Sequence, residues 1–186
     1  MRYPMVELLV SGLFVLVYHQ YGIRLQTLAY MLLVGAVVTA SFIDLDHMII
    51  PNSVNLFIGI TGVIFILMGW TVNFKQGLLG FVIGGGVLLF LGFFALLILK
   101  KEGMGGGDIK LAAVCGLYLG MNQVIFAFLI TAYIAGFILL VLLLMRKLKK
   151  GQYVPFGPFL SVGVLTSVLF FDKIINFYYR FVLIWH

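Results

Sequence analysis

The sequence predicts an all-α, polytopic membrane protein with about six to eight transmembrane helices. Three observations predict it. Lys and Arg number 12 and Asp and Glu only 6 in 186 residues, so charged residues make up 10% of the chain. A soluble domain is about one quarter charged, and this chain has too few charges to cover a globule. Hydrophobic residues make up 63%, with a mean hydropathy of +1.20, which excludes disorder. Unbroken apolar runs such as 81–99 lack the alternation of barrel strands. At about 20 residues per crossing, little chain is left for anything outside the bilayer. Residues 1–186 therefore read as one integral-membrane domain.

The first apolar stretch, 4–18, has the length of a signal peptide, but no small-x-small cleavage site follows it. It reads as a retained span. The second, 25–43, begins after Gly22 and Arg24 and ends at Asp44. Pro51 separates it from the third, 53–72, because proline stops one helix or starts the next. The fourth, 77–99, carries glycines 77, 80, 84, 85 and 86 in its first half, a composition suited to close helix packing. The fifth, 109–119, is too short to cross a bilayer alone. The sixth, 124–145, ends at a basic cluster, and Pro155, Gly157 and Pro158 open the seventh, 155–171. The tail, 172–186, holds Phe177, Tyr178, Tyr179 and Trp185 and is expected at the headgroup interface.

The net charge is +6, but the basic residues flank apolar runs and so point to membrane topology, not to nucleic acid. Alternate loops collect Arg2, Lys100, Lys101, Lys110, Arg146, Lys147, Lys149 and Lys150 on one side. Arg24, Lys75, Lys173 and Arg180 fall on the other. The bias places the first set in the cytoplasm. The single cysteine, Cys115, excludes an internal disulfide and any CxxC zinc site, and it lies in an apolar run that suits packing.

Ionisable groups at membrane depth cost several kcal/mol, so the few acids present are informative. Asp44 closes the second apolar run, in Asp44-Leu45-Asp46-His47, and Pro51-Asn52 follows. Taken alone, this segment fits a solvated interfacial loop as well as a site. Asp108 follows Gly105-Gly106-Gly107 and opens the next apolar stretch, where a helix N-terminus favours a carboxylate. Taken alone, it fits an N-cap after a flexible loop. A phosphate loop is excluded, because no Gly-Lys-Ser/Thr follows the glycines. Together the two segments put two Asp on one side, each at the end of an apolar helix. That suits a two-carboxylate hydrolase. Two such groups within a few ångström do not both ionise easily, so one polarises the scissile carbonyl while the other draws a proton from water. The same residues would also suit a proton- or ion-coupled transporter, although no internal repeat is visible.

At these residues the chain resembles the type IV prepilin peptidases, members of the GxGD group of intramembrane aspartyl proteases. Gly105-Gly106-Gly107-Asp108 fits GxGD within the longer run Gly103-Met104-Gly105-Gly106-Gly107-Asp108-Ile109-Lys110-Leu111. Asp44-Leu45-Asp46 with Ile50-Pro51-Asn52 fits the first catalytic region, and Pro155-Phe156-Gly157-Pro158-Phe159-Leu160 a third segment. The resemblance implies the GxGD-protease fold and makes Asp44 and Asp108 the catalytic pair. Asp46, Pro51, Gly105, Gly107, Lys110, Pro155 and Gly157 become supporting residues. It implies no metal and no cofactor. The implied substrates are type IV prepilins or pseudopilins, which carry a short basic leader and a Gly before the cut. Asp46 or Glu102 would meet the leader's basic residues. It also implies a multi-pass protein of the cytoplasmic membrane with its site facing the cytoplasm. Longer members carry an insertion with two CxxC pairs associated with N-methylation. This chain, with one Cys, resembles a short form without it, and nothing in the resemblance bears on its oligomeric state.

Overall fold

A computed structural model of the chain describes residues 2–100, 104–147 and 154–184. Lys101, Glu102, Gly103, Lys149, Lys150 and Trp185 therefore lie outside the described residues. The described chain forms six helices: α1 (Arg2–Tyr21), α2 (Leu25–His47), α3 (Asn52–Leu67), α4 (Phe74–Leu99), α5 (Gly106–Leu144) and α6 (Gly157–Ile184). Four of them, α2, α4, α5 and α6, are long and apolar enough to cross a membrane.

Local chemistry sets the ends. Gly22 closes α1 with φ +66°. Met48 closes α2 in the left-handed region, with its N–H on Asp44 O at 2.8 Å. Shortly after it, Pro51 disfavours helix for Ile50 and becomes the N-cap of α3. That helix stops short of the expected residue 72. Gly69 takes φ +68° and donates to Ile66 O, while Trp70 N–H donates to Phe65 O at 2.9 Å. The rings of Phe65 and Trp70 then stack at 5.4 Å. This is a Schellman stop with its hydrophobic contact, and hydropathy does not register it.

The hydropathy pattern predicts a loop between stretches 109–119 and 124–145. The structure has the break within α5, as two helical arms that meet at Gly120 (φ 70°, ψ 179°) with no loop between them. As a straight rod the 39 residues of α5 would measure about 58 Å, roughly twice the hydrocarbon thickness. The neighbours show that the chain reverses at Gly120. Before it, Ala112 faces Gly84 and Gly116 faces Gly80, antiparallel to α4. After it, Gln123 O accepts from Ser167 Oγ, and Ala127 and Thr131 lie against Gly163, antiparallel to α6. Only glycine adopts this φ without steric cost, so one residue makes the corner.

The last helix is longer than the apolar stretch 155–171 that marks it in the sequence. α6 runs on to Ile184 and does not leave the helix at residue 171. No Gly or Pro occurs between 164 and 184 to stop it. Asp172, Lys173, Phe177, Tyr178 and Tyr179 are exposed along this extension.

α5 forms the centre of the bundle, packing on α3, α4 and α6, and α2 joins it through α6 and α1. Tyr30, Leu33, Val34 and Val37 of α2 are buried in one apolar core that also holds Leu111 and Tyr118 of the first arm of α5 and Leu160 and Val164 of α6. The outer face of α4, with Phe90, Phe93, Phe94 and Leu97, is exposed and suits lipid. The glycine-rich half of α4 permits backbone contact with α5. A Cβ on Gly80 would overlap the Gly116 carbonyl, and the reverse also holds. Gly80→Val is expected to destabilise the bundle by about 1–3 kcal/mol or more. A lowered thermal midpoint in detergent checks this, with Gly86→Ala, which meets nothing within 4 Å, as the neutral control.

Candidate active site

The end of α2 and the starts of α5 and α6 meet in one place. Asp44, in the last turn of α2, is only 5% exposed. Gly157 opens α6, and its N–H donates to Asp44 Oδ2 at 2.8 Å. The first N–H groups of a helix have no partner within the helix, and the dipole there favours an anion. Asp44 thus caps α6 across 113 residues of sequence. One turn on, Ser161 Oγ lies 2.7 Å from Gly157 O and 3.2 Å from Val37 O, which fastens α6 to α2. The approach depends on glycine, since a Cβ at residue 157 would sit 2.7 Å from Asp44 Oδ2.

Asp108 lies in the first turn of α5, whose N-cap is Gly105. The Asp108 N–H donates to Gly105 O at 3.1 Å, and the Asp108 carboxylate lies against the Gly105 backbone. Asp108 Oδ1 is buried and has no hydrogen-bond partner among the described residues. Asp44 and Asp108 are near enough for their charges to act on each other. The structure therefore brings together the two carboxyls singled out from the sequence, one anchored by a helix N-terminus and one with an oxygen to spare.

The supporting residues divide. Gly107 packs on Ile50, where a Cβ would lie 3.0 Å from Ile50 Cβ. Pro51 starts α3 beside it. Pro155, half-buried, precedes the start of α6. Lys110 turns to α3, donating from Nζ to Asn52 Oδ1 at 2.9 Å. Both residues line an apolar cavity of about 670 Å³ between α3, α4 and α5. Asp46 is exposed and lines a different cavity, with Met5, Leu9, Phe42 and Leu45. Among the described residues no three His, Cys, Asp or Glu side chains gather into a ligand set.

One further residue at the site lies outside the sequence motifs. Asn55, buried in α3, donates from Nδ2 to Gly107 O at 3.3 Å. Its signal in the sequence is a polar residue one turn after Asn52 within an apolar run.

The pair is recessed beside α4. Gly84 faces Ala112 and Gly92 faces Met104, which sets Asp108 level with Leu88. From there α4 continues to Leu99, about 17 Å further at 1.5 Å per residue, with Leu89, Phe90, Phe93 and Phe94 exposed.

Comparison with known proteins bears on this site. Residues 31–141 match the type IV leader peptidase family, a span that contains both Asp44 and Asp108. The chain is 35% identical over 177 residues to the prepilin leader peptidase/N-methyltransferase of Aeromonas hydrophila, covering 95% of this chain and 61% of that protein. It is 36% identical over 162 residues to the protein of that name from Neisseria gonorrhoeae, covering 87% and 55%. Against the Bacillus subtilis protein of that name it is 31% identical over 185 residues, covering 97% and 71%. The chain thus spans about three fifths of the Aeromonas relative's length. No solved structure matches it.

Proposed function

This chain belongs to the type IV leader peptidase family, and from that premise we propose that it is a membrane-embedded aspartyl endopeptidase. It removes the short basic leader from type IV prepilins or pilin-like precursors. The cut falls after a Gly on the cytoplasmic side of the cytoplasmic membrane. The observation that carries the reading is that Asp44 and Asp108, on separate helices, stand near enough for their charges to act on each other, with a buried oxygen of Asp108 unpartnered among the described residues.

In the working state the pair carries one proton. The ionised carboxylate takes a proton from water, and the water oxygen attacks the scissile carbonyl carbon. The protonated partner hydrogen-bonds the carbonyl oxygen as negative charge develops there. When the C–N bond breaks, the leaving amine takes a proton from the pair, which restores its single-proton state. Gly157 N–H holds Asp44 in register throughout. No step requires a metal or cofactor. On this reading α1 to α4, the two arms of α5 and α6 all cross the membrane, beyond the four helices whose length and composition alone suffice. The proposal assigns the chain a GxGD-type protease fold and places its basic loops at the cytoplasmic face. A transporter reading finds no support, since the family and the relatives above are leader peptidases by name.

Co-expression with a pilin-like precursor tests the proposal. The precursor should shift to its processed size only when the chain is present, and an unshifted precursor would refute the reading. Asp46, exposed two residues after Asp44, is proposed to meet basic leader residues. Asp46→Lys should raise KM for a basic leader by about fivefold, the factor for roughly 1 kcal/mol of exposed charge interaction. A neutral leader should be unaffected, and equal loss for both leaders would remove the assignment.

A further inference from the structure

The start of α3 grips the start of α5 at three points on either side of Asp108. Ile50 packs on Gly107, Asn52 Oδ1 accepts from Lys110, and Asn55 Nδ2 donates to the Gly107 carbonyl. Of these, only Asn55 is both deeply buried, at 4% exposure, and polar. Its other amide atom, Oδ1, is buried with no hydrogen-bond partner among the described residues. A buried amide whose oxygen is left unpaired is a poor stabiliser, because that oxygen carries the full desolvation cost. An apolar side chain of similar size would suit the surroundings better, and the 670 Å³ cavity that Asn55 lines leaves room for it.

We propose that Asn55 is a positioning residue for Asp108: its Nδ2–H holds the carbonyl immediately before Asp108 and sets where that carboxylate stands relative to Asp44. This rests on the peptidase reading. The glycines before Asp108 make the hold necessary. Gly105, Gly106 and Gly107 leave this entry to α5 conformationally free. The N-cap residue Gly105 has no side chain to fix the first turn. Gly107 admits Ile50 to close contact, but an apolar contact has no directional preference. The Asn55 bond supplies direction across 52 residues of sequence. Asn55 touches neither carboxylate in the contacts above and takes no part in bond breaking.

Two variants separate positioning from folding. Asn55→Asp keeps the shape and removes the donor when ionised. Asn55→Leu removes both polar atoms. Asn55→Leu should melt at or above the wild-type temperature and yet lower kcat about 10- to 100-fold, the loss expected from a misplacement near 1 Å, with KM little changed. Asn55→Asp should lower kcat similarly. Hydrogen exchange read on the amides of 108–110 in the purified, substrate-free protein requires no activity. It should quicken locally in both variants, with the rest of the bundle unchanged. Unchanged exchange there in both variants overturns the proposal. So does a fall in activity that only tracks the loss of folded protein. If the wild type fails to cleave any pilin-like precursor, the peptidase reading falls, and the exchange measurement still decides the role of Asn55.

Discussion

Asp44→Asn and Asp108→Asn should each lower cleavage by roughly 10²–10⁴-fold, the range for removing a positioned general acid or base. Both variants should still fold. Asp44 and Asp108 sit at helix ends, where Asn keeps the shape. In Asp44→Asn the side-chain amide oxygen can still accept from Gly157 N–H. The two carboxyls act as a unit, so the double variant should be little worse than either single one. In the wild type the rate should fall at both pH extremes, because the pair titrates in two coupled steps and works only between them. Each single variant should lose that two-limbed profile. Asp46→Asn should keep most activity, since Asp46 lines a different cavity. Loss at Asp46 with survival at Asp44 would reverse the assignment.

The second large effect is expected at a residue with no side chain. Gly157→Ala should lower kcat by about 10²-fold, because the added Cβ would stand 2.7 Å from Asp44 Oδ2 and 3.1 Å from its Cγ. The carboxylate must then move or α6 must withdraw, and either breaks the 2.8 Å cap. The stability cost should be about 1–3 kcal/mol, the usual range for overpacking. Gly105→Ala offers a graded comparison. Its Cβ would lie 3.1 Å from Asp108 Oδ2, which a small rotation relieves, so its loss should be smaller. Kinetics and melting of the two variants side by side test the ordering. Equal activity of Gly157→Ala and wild type would show that the α6 cap on Asp44 is dispensable.

The catalytic candidates were legible because acids are scarce in this chain, and each of the two closes or opens an apolar run. The helices were legible for the same reason, since hydropathy reports which stretches avoid water. What hydropathy does not report is where a glycine changes the backbone direction. Gly69 ends α3 early through two hydrogen bonds and a stacked ring pair. Gly120 reverses the chain, while Gly116, four residues earlier, lies in regular helix against α4. The two look alike in sequence, and packing on α4 and α6 separates them. The partners of the Asp residues were hidden for another reason. Asp44 meets Gly157 across 113 positions, and Asn55 meets Gly107 across 52. Local pattern marks such residues as unusual but does not say what each will face.

The most direct test uses the purified chain in proteoliposomes, a pilin-like precursor and a metal chelator. Mass spectrometry of both fragments maps the cut in wild type and Asp108→Asn. A two-carboxylate peptidase should release the leader after its Gly in the wild type, with chelator present, and release nothing from Asp108→Asn on the same timescale. The same fragments at the same rate from Asp108→Asn would contradict it.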